Sequence, residues 1–310
     1  MKIRIWIPLI AIYLIWGSTY LAIRFAIETI PPFLMASSRF LVPGFLLFFW
    51  RRVAGDPRPS LLEWRSTIII GLLLLVGGNG GVTWAEQFIP SGVAALIIGS
   101  VPLWIIVLNL FKPEGRHLDK LVFFGVILGF FGIALLIGPS QLFGTSSKIN
   151  PVGVIAILLA AIFWSAGSLF GRNAHLPTSP LLSTGMEFIA GGIGLFILSG
   201  LTGEFTKFSY SLISTRSFLS LIYLMVFGSL IGFVAYTWLL RNAPITLVST
   251  YAYVNPLIAI LIGHHLAQEP LNLRIFMAAV IIISSVFLIN NNMIKNSPSK
   301  QKKVQFFSIE

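Results

Sequence analysis

The sequence predicts an all-α integral membrane protein, with ten transmembrane helices arranged as two inverted five-helix repeats and both termini cytoplasmic. Three observations carry that expectation. The 310 residues are 56% hydrophobic and only 10% charged, against about 25% charged in an average soluble domain, and the mean hydropathy is +0.90. The apolar residues fall in long continuous runs, the pattern of membrane helices rather than of alternating barrel strands. A polar pattern also recurs inside the apolar sequence. Thr83-Trp84, Pro90 and Pro102-Leu103 reappear 154 residues later as Thr237-Trp238, Pro244 and Pro256-Leu257. Matched non-aliphatic positions at one spacing indicate duplication.

Taken in order, the segments long enough to cross a bilayer core of roughly 30 Å are 6–25, 33–50, 67–88, 91–111, 119–138, 151–171, 180–201, 217–240, 245–265 and 273–290. The first follows Lys2 and Arg4, as a signal peptide's apolar region would. It lacks a small-x-small cleavage site and has an internal counterpart, so it reads as a membrane helix. The first repeat covers residues 1–148, the second 149–294, and residues 295–310 form a basic cytoplasmic tail suited to anionic lipid.

Loop charges set the orientation. With the N-terminus inside, fifteen Lys and Arg residues fall on the inner side, among them Arg51, Arg52, Arg58, Lys112, Arg172 and Lys302, and five on the outer side. That is the positive-inside bias. It also accounts for the formal charge of +11 without a nucleic-acid partner. Because five is odd, the second repeat enters the membrane opposite to the first. The duplicated turn then places Glu86-Gln87 outside and Leu240-Arg241 inside. An inverted repeat is an architecture of secondary transporters, which expose one central site to either side in turn.

Candidate functional residues cluster on particular segments. Trp16 and Trp164 are equivalent at a spacing of 148 residues, Asn79 sits within Gly77-Gly78-Asn79-Gly80-Gly81, and Trp84 lies near the end of the third segment. Tyr236, Trp238, Tyr253 and Asn255 occupy the eighth and ninth. Amides in hydrocarbon need partners, so Asn79 and Asn255 are expected to face the protein interior. Helix-joining amides and interfacial aromatics are the plain alternative. The concentration on a few segments favours a cavity whose wall is Trp16, Asn79, Trp84, Trp164, Tyr236, Tyr253 and Asn255, suited to a small amphipathic solute. Pro102 and Pro256, each expected to interrupt a helix at about 3 kcal/mol, are candidate gating positions.

Arg39 and Glu187 are the charges most clearly inside segments, also at equivalent places. A structural role and a coupling role, Glu187 being the proton-linked group, both stay open. Gly125, Gly129 and Gly132, with Gly228 and Gly232, read as close-packing positions. With no cysteine there is no disulfide or thiolate chemistry. Adjacent His264-His265 lack the i, i+4 spacing of a helical zinc pair. No phosphate loop or nucleophile elbow is present, so neither cofactor, metal nor catalytic residue is expected. The expected partners are a small-molecule solute and membrane lipid, with proton coupling and a homodimer left open.

Trp16-Gly17-Ser18, Pro32, Arg39-Phe40, the stretch from Pro90 to Pro102 and Gln268-Glu269-Pro270-Leu271 together resemble the EamA-domain branch of the drug/metabolite transporter superfamily. The resemblance covers nearly the whole chain as two EamA units. It implies a ten-helix carrier in the bacterial cytoplasmic (inner) membrane, often an exporter of amino acids or related metabolites, with a cavity lined by helices one, three, four, six, eight and nine. Lys112-Pro113-Glu114-Gly115-Arg116 departs from the usual order, while the second half keeps Glu269. Both Glu residues read as helix caps and loop fixtures. The alternatives are an intramembrane enzyme acting on a lipid-linked substrate, for which paired acids or a nucleophile are missing, and a non-transporting membrane subunit.

Overall fold

The computed structural model describes residues 3–110, 120–137, 150–243, 245–248 and 250–295. All secondary structure among them is helical. Helix α1 is Ile3–Ala26. Helix α2 (Pro32–Val53) carries Pro at its first position, where a missing N–H is no loss. Helix α3 (Leu61–Ala85) starts six residues before the expected 67 because Ser60 and Glu63 form a capping box. Glu63 N–H donates to Ser60 Oγ at 3.3 Å and Ser60 N–H to Glu63 Oε2 at 2.6 Å, satisfying two backbone donors reciprocally. The polar cap extends the helix beyond its apolar run.

Helix α4 is broken into Ser91–Ile98 and Val101–Leu110, and α5 is Lys120–Ile137. Helices α6 (Pro151–Gly171) and α7 (Pro180–Leu201) open where expected, each with Pro in the first turn and a side-chain cap, Asn150 and Ser179. Helix α8 runs without a gap through Thr215–Tyr223, Leu224–Ile231 and Gly232–Asn242. Helix α9 comprises Ile245–Val248 and Tyr251–Ala267, and α10 is Leu273–Lys295. The expectations resting on Pro244, Lys112 to Arg116, His117 and the tail after Lys295 lie outside the described residues. Among the described residues seven helices are long and apolar enough to cross a membrane, and Lys120–Leu136, Val254–Ala267 and Leu273–Ile289 are shorter apolar helices. Phe45, Phe49, Phe124, Phe131, Ile155 and Phe287 lie exposed on the outer surface, as lipid-facing residues of a multi-pass membrane protein do.

The most extensive packing joins α2 to α7, α3 to α6, α5 to α10 and α1 to α8, then α3 to α7, α1 to α9, α4 to α6, α4 to α9 and α2 to α8. This set of partners is unchanged when each of the first five helices is exchanged with the one five places later. At the α2–α7 crossing Ser37 Oγ donates to Gly192 O at 2.9 Å. The mate of that contact at a spacing of 148 is Gly44 against Gly185, where a Cβ on either glycine would lie 3.2 Å from the other's carbonyl oxygen. Between them Phe40 and Phe188, also 148 apart, meet with ring centroids 5.2 Å apart. Both are among the largest fully buried side chains.

Two helix ends are capped from far along the chain. Glu204 accepts from Phe33 N–H at 3.1 Å and Leu34 N–H at 2.9 Å, at the start of α2. Glu269 Oε1 accepts from Ser91 N–H and Oγ, both at 2.8 Å, and its Oε2 from Gly92 N–H at 3.0 Å, at the start of α4. Carboxylates suit helix N-termini because the unpaired N–H groups there carry partial positive charge. The cap expected of Glu269 is therefore observed, and Glu114 lies outside the described residues. Gln268, in the left-handed region at φ 53, turns the chain back so that Glu269 N–H reaches Gly263 O at 3.1 Å.

Candidate functional site

Helices α3 and α8 each contain a stretch of wider π-helical turns, at Leu72–Gly80 and Leu224–Ile231. Such turns displace carbonyls from the regular helical ladder and recur at functional sites. Trp16 of α1 uses one of them, donating from Nε1 to Gly228 O at 3.2 Å. Its ring is held by Phe233, Tyr236 and Tyr251, at centroid distances of 5.6, 5.2 and 5.2 Å. A Cβ on Gly232 would overlap Trp16 Nε1, so the glycine makes the seat for the indole. Trp164 of α6 is seated in the matching way on α3. A Cβ on Gly78 would lie 2.9 Å from Trp164 Cε3. Each half thus lays a tryptophan on the glycine-bearing π segment of the other.

The remaining candidates are gathered less evenly. Asn79 is half-buried on the α3 segment. Asn255 is 7% exposed, its Oδ1 has no hydrogen-bond partner, and its backbone carbonyl faces Gly17 of α1. Tyr236 meets Tyr251 at 5.8 Å, while Trp238 is exposed. Trp84 stacks on Phe88 at 4.8 Å and packs with Phe233 against the α2–α7 core. The side chain of Tyr253 lies outside the described residues. The structure therefore brings Trp16 and Tyr236 together, sets the Asn255 backbone of α9 against Gly17 of α1, and keeps Trp164 with the α3 glycines.

Pro102 departs from its expected mid-helix place, whereas Pro256 keeps it. Pro102 is the second residue of Val101–Leu110, a position that tolerates a missing N–H. It follows the break at Gly99 and Ser100 rather than kinking a continuous helix. The break is satisfied locally, since Ser100 Oγ donates to Ile97 O at 2.5 Å and Ser165 Oγ of α6 to Val101 O at 3.2 Å. In α9 the interruption precedes Tyr251, where Thr250 Oγ1 donates to Leu247 O at 2.5 Å and bonds the Tyr13 hydroxyl. Pro256 lies inside the helix that follows, with its Cγ 3.3 Å from where a Cβ on Gly99 would stand. Ser100 and Thr250, 150 residues apart, do matching work that the spacing of the prolines does not reveal.

Glu86, at the duplicated turn, is buried. It is 2% exposed, and neither carboxylate oxygen has a hydrogen-bond partner, whereas Gln87 is exposed. The side chains of Leu240 and Arg241, its expected counterparts, lie outside the described residues. The cause is tertiary, because α6 and α2 pack on the last turn of α3. Arg39 is 6% exposed and lies 5.0 Å from the centroid of the Phe40 ring. Glu187 is half-buried and accepts from Ser183 Oγ at 2.9 Å.

Sequence reasoning missed Glu86, Tyr251 and the two π segments. The available signals were an acid between apolar runs and glycines at matched positions. The glycines read as packing sites do pack: a Cβ on Gly125 would lie 2.8 Å from Ile289 Cγ1, and one on Gly132 2.8 Å from Ile282 Cγ1. His264 Nδ1 pairs with Glu269 O at 2.9 Å in the last turn of α9.

Long apolar helices with interrupted segments packed at their centre define a multi-pass membrane protein of transporter type. The chain belongs to the EamA-like transporter family, whose pattern matches residues 4–138 and 151–291, and its relatives are transporters of the drug/metabolite transporter superfamily. It is 39% identical over 282 residues to the uncharacterized inner membrane transporter YedA of Escherichia coli (strain K12), spanning 91% of this chain and 89% of that protein. It is 23% identical over 290 residues to the uncharacterized transporter YoaV of Bacillus subtilis (strain 168), spanning 92% of this chain and 96% of that protein. A crystal structure at 18% identity shares the fold with a TM-score of 0.61, over 93% of this chain and 98% of that one.

Proposed function

We propose that this chain is a secondary carrier that exports a small organic metabolite, an amino acid or related amphipathic solute, across the bacterial cytoplasmic membrane by alternating access. In this reading its ten helices form two inverted repeats, residues 1–148 and 149–294, with both termini cytoplasmic. The observation that carries it is the reciprocal seating of Trp16 on Gly228 and Gly232, and of Trp164 on Gly78. Two halves that hold each other's aromatic residues in equivalent ways can exchange conformations at little energetic difference, which is what alternating exposure requires. The packing partners, unchanged when the halves are exchanged, support the same reading. The name of the relative YedA as an inner membrane transporter supports the location.

In this carrier Trp16, Asn79, Trp84, Trp164, Tyr236, Tyr253 and Asn255 contribute to the solute path, and Pro102 and Pro256 lie at the moving segments. Asn255 brings a buried side-chain carbonyl without a hydrogen-bond partner to α9. The test is solute release from proteoliposomes loaded with a pool of amino acids, sugars, nucleosides and organic acids, comparing wild type with Asn255→Leu. Selective release that falls by about tenfold or more in the variant is the expected result. Equal release from both would remove Asn255 from the path. If transport is coupled, Glu187→Gln abolishes its dependence on a pH gradient, and full retention of that dependence assigns Glu187 to structure.

A further inference from the structure

Arg39 and Glu86 are buried charged side chains left without hydrogen-bond partners at one place in the fold. Arg39 Nε and Nη1 and both Glu86 carboxylate oxygens are buried and unpartnered. Helix α2 packs on the last turn of α3, whose C-terminal cap is Glu86, yet no ion pair joins Arg39 and Glu86 among the described residues. Arg39 Nη2 lies against α8, 3.4 Å from where a Cβ on Gly228 would stand. Two further unpartnered hydroxyls belong to neighbouring residues, Thr83 one turn before Glu86 and Ser229 next to Gly228. Arg24 and Glu269, the other charges that act on Glu86, are already engaged. They contact each other at 3.7 Å, Arg24 also donates to Ile89 O, and Glu269 caps α4.

We infer that Arg39 and Glu86 are the two polar ends of a solute site, the guanidinium receiving an anionic group and the carboxylate a cationic group of one small zwitterion. The inference rests on the carrier reading and deepens it by naming the charge pattern of the solute. The argument is one of satisfied charges. An unpaired charge in a low-dielectric interior costs several kcal/mol, so the occupant that answers both groups is favoured over one that answers a single group. A simple anion would leave Glu86 unpaired, a simple cation would leave Arg39, and a neutral solute would leave both. A planar guanidinium is also the side chain best suited to bidentate recognition of a carboxylate.

The test uses purified full-length protein and the amino acid that most raises its melting temperature, compared with the desamino carboxylic acid and the decarboxylated amine of the same side chain. The zwitterion should bind at least about tenfold more tightly than either analogue. In Glu86→Gln the gap to the carboxylic acid should close to within about threefold, and in Arg39→Gln the gap to the amine should close likewise. Each comparison is a ratio within one variant, so folded yield does not enter it. Should neither variant fold, the wild-type comparison decides, since analogues that bind as well as the amino acid overturn the assignment. Wild-type ratios retained in both variants also overturn it and make the two charges a structural pair. Release of a sugar or nucleoside in place of any zwitterion overturns it while leaving the carrier standing. Release of nothing from the mixed pool overturns the carrier reading itself.

Discussion

At the scale of single residues, Glu269 joins the two halves of the chain. It satisfies two backbone N–H groups and one hydroxyl at the start of α4 while meeting Arg24 Nε at 3.7 Å. Gly263 is the residue that makes room, since a Cβ there would stand 2.5 Å from Glu269 Oε2. Replacing Glu269 by Ala leaves those donors unpaired, at an expected loss of about 2–4 kcal/mol. A thermal melt in detergent should therefore show Glu269→Ala well below wild type and Glu269→Gln between them. An unchanged melting temperature in Glu269→Ala would deny the cap any weight. The capping role was legible in the sequence from the family resemblance. That the capped helix is α4, 178 residues away, was not, because nothing local encodes a distant partner.

At the scale of helices, the two prolines that look alike in sequence stand in different settings. Pro102 opens a helix, whereas Pro256 lies within one. Pro102→Ala is expected to change stability by less than about 1 kcal/mol. Pro256→Ala restores the hydrogen bond to Ala252 O, and in the proposed mechanism slows transport more than it lowers folded yield. Equal effects of the two substitutions on transport would remove the distinction. The α2–α7 crossing makes a sharper demand. A Cβ on Gly185 would lie 2.9 Å from Phe48 N, so Gly185→Val forces the helices apart, at about 1–3 kcal/mol. Fluorescence-detected size exclusion after heating reads that loss. The helix positions themselves were legible from apolar runs, as 151–171 and 180–201 show. The early start of α3 was legible too, in the Ser60 and Glu63 capping box, but a reading by hydropathy alone passes over polar residues.

At the scale of the molecule, orientation is the property to measure. The sequence has no cysteine, so single-cysteine variants need no background substitutions. With the N-terminus inside, Arg58→Cys is shielded from a membrane-impermeant thiol reagent applied to intact cells, and Thr206→Cys is labelled. The reverse pattern would invert the proposed topology and the direction of every loop. The +11 formal charge enters at this scale as a bias of loop placement, and carries no information about the solute.

The sequence by itself determined the class of the protein, the positions of its apolar helices and the recurrence of its polar motifs. Each depends on local composition or on spacing along the chain, because bilayer thickness fixes how many consecutive apolar residues a helix needs. Only the tertiary structure decided that Glu86 is buried, that Glu204 and Glu269 cap distant helices, and that Trp16 and Trp164 rest on π segments of the opposite half. Those outcomes depend on which backbone groups and side chains meet across helix interfaces. The deciding energies there, the cost of an unpaired buried charge and the overlap of a single Cβ, exist only after distant segments have been brought within a few ångströms.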